Sequence, residues 1–335
     1  MDPMINVLLI CGGGAAEHDI SLLSAKYIFN KLKLIPTITP YYVCIEKDGN
    51  RTDEKGKKCE LRKAGELIKE GSDHCITLHY AIPCIHGYPG ETGDIQSLFD
   101  MMMLPYLGAG PEASKVCFNK VTTKLWLDAI GLPHTPYLFL SDNSKSSLDK
   151  AANFFDLHQD LFIKASNQGS SIGCYHATDK NKLTPLIEDA FKLSPYVLIE
   201  KTIKARELEV AVFHYQGKVH VAGPGEVKSA QGFYSYDEKY AKDSSAKVSY
   251  EVSDLPKEIN EKIKTIAVAA FEKLKLKDMA RIDFFYTQEG ELLINEVNTF
   301  PGHTSISLFP VLLEKSGITY EQYLQDRITS ASRNL

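Results

Sequence analysis

At 335 residues the chain is long for one core and points to two or three domains. Hydrophobic residues make up 44% and charged residues 24%, an ordinary balance for a soluble globular protein, and a formal net charge of −5 argues against a general polyanion binder. The 7 cysteines are scattered without a CxxC pair, which reads as reduced thiols rather than a disulfide framework or a zinc site. No apolar run approaches the length of a membrane-spanning helix, and the amino terminus lacks the charged leader of a signal peptide. The expectation is a cytoplasmic protein with neither nucleic acid nor membrane as partner.

Ile5-Asn-Val-Leu-Leu-Ile10 predicts a buried strand, followed by Gly12-Gly13-Gly14 and a helix beginning near Glu17, with Ile20, Leu23, Tyr27, Ile28 and Leu32 on its apolar face. Strand, glycine turn and helix make the first unit of an open α/β (Rossmann-like) sheet, in which ligands gather at the carboxyl ends of the strands. The glycines fit G-x-G-x-x-G poorly, which argues against a dinucleotide site. A tight structural turn would explain them but not the Glu17-His18-Asp19 cluster beside them. The lysine- and glutamate-rich stretch from Glu46 to His74 predicts a surface hairpin plus an amphipathic helix. Ile82-Pro-Cys-Ile-His86 then ends a strand in the loop Gly87-Tyr-Pro-Gly90-Glu91-Thr-Gly93, whose glycines suggest close backbone approach to a ligand. His86 and Glu91 are placed there to orient a polar substrate group, although a lone histidine at a strand end is more often structural.

Leu107-Gly-Ala-Gly110-Pro111 marks a boundary before a helix over Lys115–Ile130, which Gly131-Leu-Pro-His-Thr-Pro136 ends sharply. After the strand Phe162-Ile-Lys164, the loop Asn167-Gln-Gly169-Ser170-Ser171-Ile-Gly173 offers hydroxyls and open backbone N–H groups that can cradle phosphates. An ordinary glycine hairpin also explains the loop taken alone; Lys120 and Lys164, as cations on either side, favour the phosphate reading. No GxxxxGK[ST] segment is present, so this is not a P-loop protein. The strand Val197-Leu-Ile-Glu200-Lys201 ends in a charged pair suited to an adenine, with Glu200 and backbone groups at the amine edge, Lys201 nearby, and Glu207 available to ribose hydroxyls. Strands Glu209–Tyr215 and Lys218–Ala222 meet at the hairpin signal Gln216-Gly217. From Gly223 to Lys247 the chain is poor in core residues, and a loop of that length is usually a lid or disordered. Its aromatics, in Phe233-Tyr-Ser-Tyr-Asp-Glu-Lys239-Tyr240, favour a lid. Lys257–Leu274 predicts a helix that packs Ile259, Ile263, Ile266, Ala270 and Leu274 into the core.

Two strand-like runs then flank Glu289-Gly290. A two-residue loop would pair Gln288 with Glu291, Tyr286 with Leu293 and Asp283 with Glu296. Alternation puts Arg281 and Asp283 on one face beside Glu296 and Asn298. Like charges directly opposed repel, so such a hairpin needs a cation, and three oxygen-bearing ligands suit a hard divalent metal such as Mg²⁺. Carboxylates on an exposed edge are the alternative, but these interrupt otherwise apolar strands.

Together these stretches resemble the ATP-grasp superfamily and, within it, the D-alanine–D-alanine ligases. The resemblance rests on Gly12-Gly-Gly-Ala-Ala-Glu17-His-Asp-Ile-Ser, His86-Gly-x-x-Gly-Glu91-x-Gly-x-x-Gln96, Gly169-Ser-Ser-Ile-Gly, Phe233 to Tyr240, and Arg281-Ile-Asp283 through Glu296-Val-Asn298-Thr-Phe-Pro-Gly302, in this order over nearly the whole chain. It implies an ATP-grasp fold of α/β and α+β parts: an amino-terminal α/β substrate domain over 1–115, a central subdomain over 116–208, and a carboxy-terminal subdomain over 209–335 carrying the metal site and closing loop. By motif, Lys120, Lys164, Glu200, Lys201, Ile203 and Glu207 match nucleotide-site residues. Asp283, Glu296 and Asn298 match the ligands of two Mg²⁺ (or Mn²⁺) ions, Glu296 bridging. Glu17 matches the residue holding the ammonium of a first D-alanine, and Ser307 and Leu308 the contact with the carboxylate of a second. Ser170, Lys239 and Tyr240 match loop contacts that close the site, Lys239 reaching the γ-phosphate, while Arg281 and the Gly302 backbone N–H would meet a tetrahedral oxyanion.

The implied reaction joins two D-alanines at the expense of ATP through an acyl phosphate, for peptidoglycan precursors, in a homodimer. A ligase of the same fold accepting D-lactate or D-serine, and a nucleotide-binding relative without chemistry, stay open at this point. Ala165 follows Lys164 where the family commonly has proline; Ile203, Phe300 and His303 stand at variable positions. None of these departures removes a charged catalytic group.

Overall fold

The computed structural model describes residues 4–13, 16–62, 65–72, 74–228 and 247–332. Strand β1 (Ile5–Gly12) runs into helix α1 (His18–Leu32), and β2 (Ile38–Ile45) returns parallel to β1 with Gly12 beside Ile45. The short β3 (Arg51–Thr52) borders β2. Among the described residues between β3 and the next core strand, the expected amphipathic helix is absent. Instead β4 (Cys59–Arg62), β5 (Glu66–Lys69) and β6 (Cys75–Thr77) form a three-stranded antiparallel sheet. The reason lies in the turns: Gly49, Gly56, Gly65 and Gly71 all take positive φ, which cuts the segment into pieces too short for a helix. Leu67 anchors this sheet in the core.

Strand β7 (Tyr80–Cys84) pairs parallel with the other side of β1, and helix α2 (Asp94–Met101) follows the His86 loop. The carboxyl ends of β1, β2 and β7 thus lie together, as an open α/β sheet requires of its ligand edge. Helix α1 covers one face, but its buried side is His18, Ser21, Ser24, Ala25, Ile28 and Leu32, while Leu23 is 58% exposed on the cleft side. The hydroxyls explain the shift. Ser21 accepts from the Gly12 N–H at 2.7 Å and donates to the Cys84 carbonyl at 2.5 Å, so the polar residues fasten the helix to the strand ends.

The helix expected over Lys115–Ile130 is two helices, α3 (Pro111–Phe118) and α4 (Lys120–Ile130). Asn119 breaks it: its backbone is extended and its side-chain oxygen accepts from the N–H groups of Val121 and Thr122. The break sets Lys120 at the first position of α4. Strands β8 (Tyr137–Leu140), β9 (Leu161–Ala165), β10 (Cys174–Ala177) and β11 (Val197–Lys201) form an antiparallel sheet in the order β10-β9-β11-β8, with α5 (Lys145–His158) and α6 (Leu183–Phe191) packed on it.

A third, antiparallel sheet has the order β14-β13-β12-β15-β16, from β12 (Ala205–Tyr215), β13 (Lys218–Lys228), β14 (Lys247–Ser249), β15 (Met279–Thr287) and β16 (Leu292–Asn298). Here Gly223–Lys228, read above as the start of a loop, continues β13. Pro224 is accommodated at a register shift opposite Glu209–Ala211, where the missing N–H costs no ladder bond. Helix α7 (Lys257–Lys273) packs Ile263, Ala267 and Phe271 against this sheet. Helices α8 (Leu308–Lys315) and α9 (Tyr320–Ser332) then place Phe309, Tyr320 and Tyr323 in one core with Phe213 of β12 and with Leu9 and Ile82 of the first sheet. That shared core locks the first and third sheets together.

The β15–β16 hairpin differs from expectation in an instructive way. Its loop has three residues, closed by the Thr287 N–H donating to the Glu291 carbonyl, with Gly290 at φ 85°. Tyr286 therefore pairs with Leu292, not Leu293. A bulge between Asp283 and Phe284 then restores the expected pairing of Asp283 with Glu296 and of Arg281 with Asn298. The extra residue is Asn295, and the neighbouring Ile294 N–H donates to the Pro133 carbonyl at 2.8 Å.

Replacing Asn119 with alanine removes the α4 cap. It should lower stability by about 1 kcal/mol, read from urea denaturation midpoints. An unchanged midpoint would show that the cap does not hold the break.

Candidate active site

The strand ends and loops converge on a cavity of about 610 Å³, the size of a small-molecule site. Three groups of charged residues line or support it. The first is the hairpin. Register places Glu209 of β12 opposite Asp283 of β15, and Asp283 opposite Glu296 of β16, so three carboxylates stand in a row across adjacent strands. Arg281 holds them. Its Nε lies 2.8 Å from Glu209 and from Asp283, its Nη2 2.8 Å from Asp283 and 3.7 Å from Glu296. The Asn298 amide donates to Asp283 at 3.2 Å and to Glu296 at 3.4 Å.

The carboxylates still act on one another across the strands. Burial, with Glu209 and Glu296 adding to it against Arg281, pushes the Asp283 carboxyl up to about 8. The donor set of Asp283, Glu296 and Asn298 is all oxygen, and Glu296 is 35% exposed toward the cavity. These residues fit a hard divalent cation, which would add positive charge beside them.

The second group lies under the central sheet. Glu200 is buried between two lysines, with Lys124 at 2.8 Å and Lys164 at 2.5 Å, and it also accepts from the Thr135 hydroxyl. Burial opposes both charges, yet the lysines hold the Glu200 carboxyl well below the usual range, and Glu200 raises Lys164 despite its burial. The Glu200 oxygens are thus engaged by protein groups, and its most direct effect is to fix Lys164 at the cavity wall. Lys120 donates from Nζ to the Gln168 carbonyl at 2.5 Å, holding the base of the serine loop. Lys201, Ile203 and Glu207, at the end of β11 and the start of β12, do not line this cavity.

The third group surrounds Glu17, at the start of α1. Ser170 donates to its Oε1 at 2.5 Å. Two glycines lie close against it: a Cβ on Gly87 would stand 2.6 Å from one Glu17 oxygen, and a Cβ on Gly169 3.0 Å from the other, so either would displace the carboxylate. Ser170 and Ser171 both take positive φ (51° and 62°), conformations that carry a cost and gather at functional sites. Glu91 accepts from the Gly87 N–H at 2.7 Å, and its carboxyl is pushed up to about 8 by burial and by Glu17. Two converging carboxylates make this corner attractive to an ammonium ion. His86 is buried, 2.9 Å from the Ser24 hydroxyl.

Gly302, Ser307 and Leu308 line the opposite wall, where Ser307 accepts from the Thr304 N–H at 3.0 Å. Lys239 and Tyr240, with the rest of the expected lid from 229 to 246, lie outside the described residues. The sequence reading missed Glu209, Lys124 and Asn295. Glu209 carried a signal, a lone carboxylate inside Leu208-Glu-Val-Ala-Val-Phe213; so did Lys124, on the buried stripe of Val121 and Leu127. Asn295 carried none, because a bulge is set by loop length and by the Pro133 contact rather than by residue type.

Glu200→Gln leaves two lysines at a site made for three charges and should destabilise the chain by about 3–5 kcal/mol; a loss under about 1 kcal/mol by urea denaturation would contradict that balance. Burial lowers His86 to about 4 and His303 to about 3. Both stay neutral in the fold while the unfolded chain takes up protons below about 6.5, so their contribution is complete above that pH and declines as pH falls from 6.5 toward 4. Over this window the wild type should lose stability relative to a His86→Gln variant; parallel stability–pH curves would contradict the assignment.

The chain was compared with known families and structures. Residues 6–109 match the family described as D-ala D-ala ligase N-terminus, and residues 126–329 the family described as D-ala D-ala ligase C-terminus. A D-alanine–D-alanine ligase from Shewanella sp. (strain ANA-3) is 47% identical over 322 residues, 96% of each chain. Among solved structures, D-alanyl-alanine synthetase A from Vibrio cholerae superposes with a TM-score of 0.93 at 44% identity, covering 99% of both chains. The D-alanine–D-alanine ligase from Aeromonas hydrophila gives 0.83 at 42% identity, over 96% of this chain and 99% of that one. With its site geometry and both halves matched, the chain belongs to the D-alanine–D-alanine ligase family and has the ATP-grasp fold of that family.

Proposed function

We propose that this chain joins two D-alanine molecules into D-alanyl-D-alanine, converting ATP to ADP and phosphate, for peptidoglycan precursor synthesis. The observation that carries the reading is the convergence of Glu17, Lys164, Glu209 and Glu296 on one cavity, in a chain 47% identical to a ligase of that name. Glu17, with Ser170 on its Oε1 and Glu91 beyond, offers anionic oxygens to the ammonium of the first D-alanine. The carboxylate of that D-alanine attacks the γ-phosphorus; a P–O bond forms and the bond to ADP breaks, leaving an acyl phosphate. The amine of the second D-alanine then attacks the acyl carbon, the C–O bond to phosphate breaks, and the amine gives up a proton.

Negative charge grows on the phosphoryl oxygens in the first step, and Lys164, held by Glu200, faces it from the cavity wall. Asp283, Glu296 and Asn298 are the residues that would hold two Mg²⁺ (or Mn²⁺) ions, which would supply Lewis-acid charge to phosphate oxygens. The oxyanion of the second step is met by Arg281 and the Gly302 N–H, and Ser307 and Leu308 receive the carboxylate of the second D-alanine. Lys120, Lys201, Ile203 and Glu207 complete the nucleotide site in this reading, and Lys239 and Tyr240 close it. The same reading divides the chain into 1–115, 116–208 and 209–335. The confinement of the central sheet to Tyr137–Lys201 supports a separate central unit, while β12, starting at Ala205, crosses the boundary at 208. It also takes the protein to be a cytoplasmic homodimer without nucleic-acid or membrane partners; among the described residues no helix is long and apolar enough to cross a membrane.

Purified protein should release ADP and phosphate only with ATP, Mg²⁺ and D-alanine together; no release, beside an active control ligase, would end the ligase reading. Glu296→Gln should keep the fold by circular dichroism and lower kcat by roughly 100-fold or more, whereas near-normal turnover would refute its role. Glu17→Gln should raise the KM for D-alanine by roughly 10- to 100-fold, the scale of a charge-assisted hydrogen bond; an unchanged KM would remove Glu17 from the ammonium site.

A further inference from the structure

Outside the cavity, the end of β2 and the start of α1 bring together three side chains of metal-ligating type. One ligand atom each of His18, Cys44 and Glu46 lies within 4.8 Å of the others. His18 and Cys44 are buried and Glu46 half-buried. Spacing along the chain gave no hint of this, since no CxxC or paired-histidine pattern is present; the parallel pairing of β1 and β2 creates it.

The surroundings are arranged as around a metal ligand set. The Gly13 carbonyl, 3.0 Å from His18 Nδ1, can only accept, so Nδ1 carries the ring proton and Nε2 keeps the electron pair. A backbone carbonyl on the second ring nitrogen is the usual partner of a metal-bound histidine. The Thr52 hydroxyl donates to Glu46 Oε1 at 2.5 Å, orienting that carboxylate in the same manner. Gly12 lets β1 lie close to β2 beside the cluster: a Cβ there would stand 2.3 Å from the Ile45 carbonyl, 2.9 Å from Cys44 Sγ and 3.1 Å from His18 Cε1. Ligands of a tetrahedral zinc ion stand about 3.3–3.8 Å apart, so closure around a cation asks for side-chain movements of about 1 Å.

We propose that His18, Cys44 and Glu46 form a cation site for Zn²⁺, separate from the hairpin carboxylates. One thiolate, one imidazole and one carboxylate suit a borderline-soft ion and not Mg²⁺, which the all-oxygen hairpin suits. Three protein ligands leave a fourth position for solvent. Binding releases the thiol proton to solvent and fastens the first turn of α1 to the end of β2. The site needs neither nucleotide nor amino acid, so its test is independent of the ligase reading.

The test uses the full chain, stripped with a chelator, kept reduced, and held in saturating Mg²⁺. It is titrated with Co²⁺ as a spectroscopic substitute, then with Zn²⁺ in competition. The expected result is one Co²⁺ per chain with a thiolate-to-cobalt charge-transfer band, displaced by Zn²⁺ and abolished by Cys44→Ser. Glu46→Gln keeps the thiol and should retain the band while weakening binding roughly 10-fold or more; it guards against misfolding of the cysteine variant, checked by circular dichroism. No thiolate band in the wild type, or a band that survives Cys44→Ser, would overturn the proposal.

Discussion

Arg281 within 2.8 Å of both Glu209 and Asp283 is the interaction on which the cleft depends. Without it, carboxylates aligned across β12, β15 and β16 would repel at the spacing of paired strands. With it, the row is held, while burial, Glu209 and Glu296 push Asp283 toward its protonated form. Register fixes the carboxylates, and among the described residues Arg281 bridges all three. Arg281 is half-buried, and Asp283 and Glu209 favour its charge strongly against the cost of desolvation.

The central sheet answers the same problem with the opposite sign. Glu200 faces Lys124 and Lys164, one carboxylate between two cations, and Lys164 lines the cavity. Buried pairs of this kind add little net stability over an apolar core, because desolvation offsets the attraction. Their effect is positional. The cavity therefore has an anionic wall on the third sheet and a cationic one on the second, while the shared aromatic core of Phe213, Phe309, Tyr320 and Tyr323 keeps the first sheet, with Glu17, against both. A nucleotide–metal substrate is complementary to that pair of walls, and an amino-acid ammonium to the Glu17 corner.

Much of this was legible in the sequence, for physical reasons that can be named. Alternation and glycine placement gave β1, the His86 loop and the hairpin pairing of Asp283 with Glu296. That pairing was right although the loop is one residue longer than expected, because Asn295 bulges and cancels the difference. Without the bulge Asp283 would oppose Asn295 and Arg281 would oppose Val297, with Glu296 on the other face. Bulges, the Asn119 helix break and the small sheet at β4–β6 depend on contacts distant in sequence or on runs too short to show a period. Glu209 and Lys124 were visible as lone charges in apolar runs, but only the fold reveals that each meets an opposite charge.

The central claim is that the hairpin residues Asp283, Glu296 and Asn298 receive divalent cations. The most direct measurement is a count of Mn²⁺ bound by the chain saturated with a non-hydrolysable ATP analogue, by electron paramagnetic resonance of the free ion. The account predicts two ions per chain in the wild type and fewer in an Asp283→Asn variant of unchanged fold. Equal Mn²⁺ binding by both would contradict it.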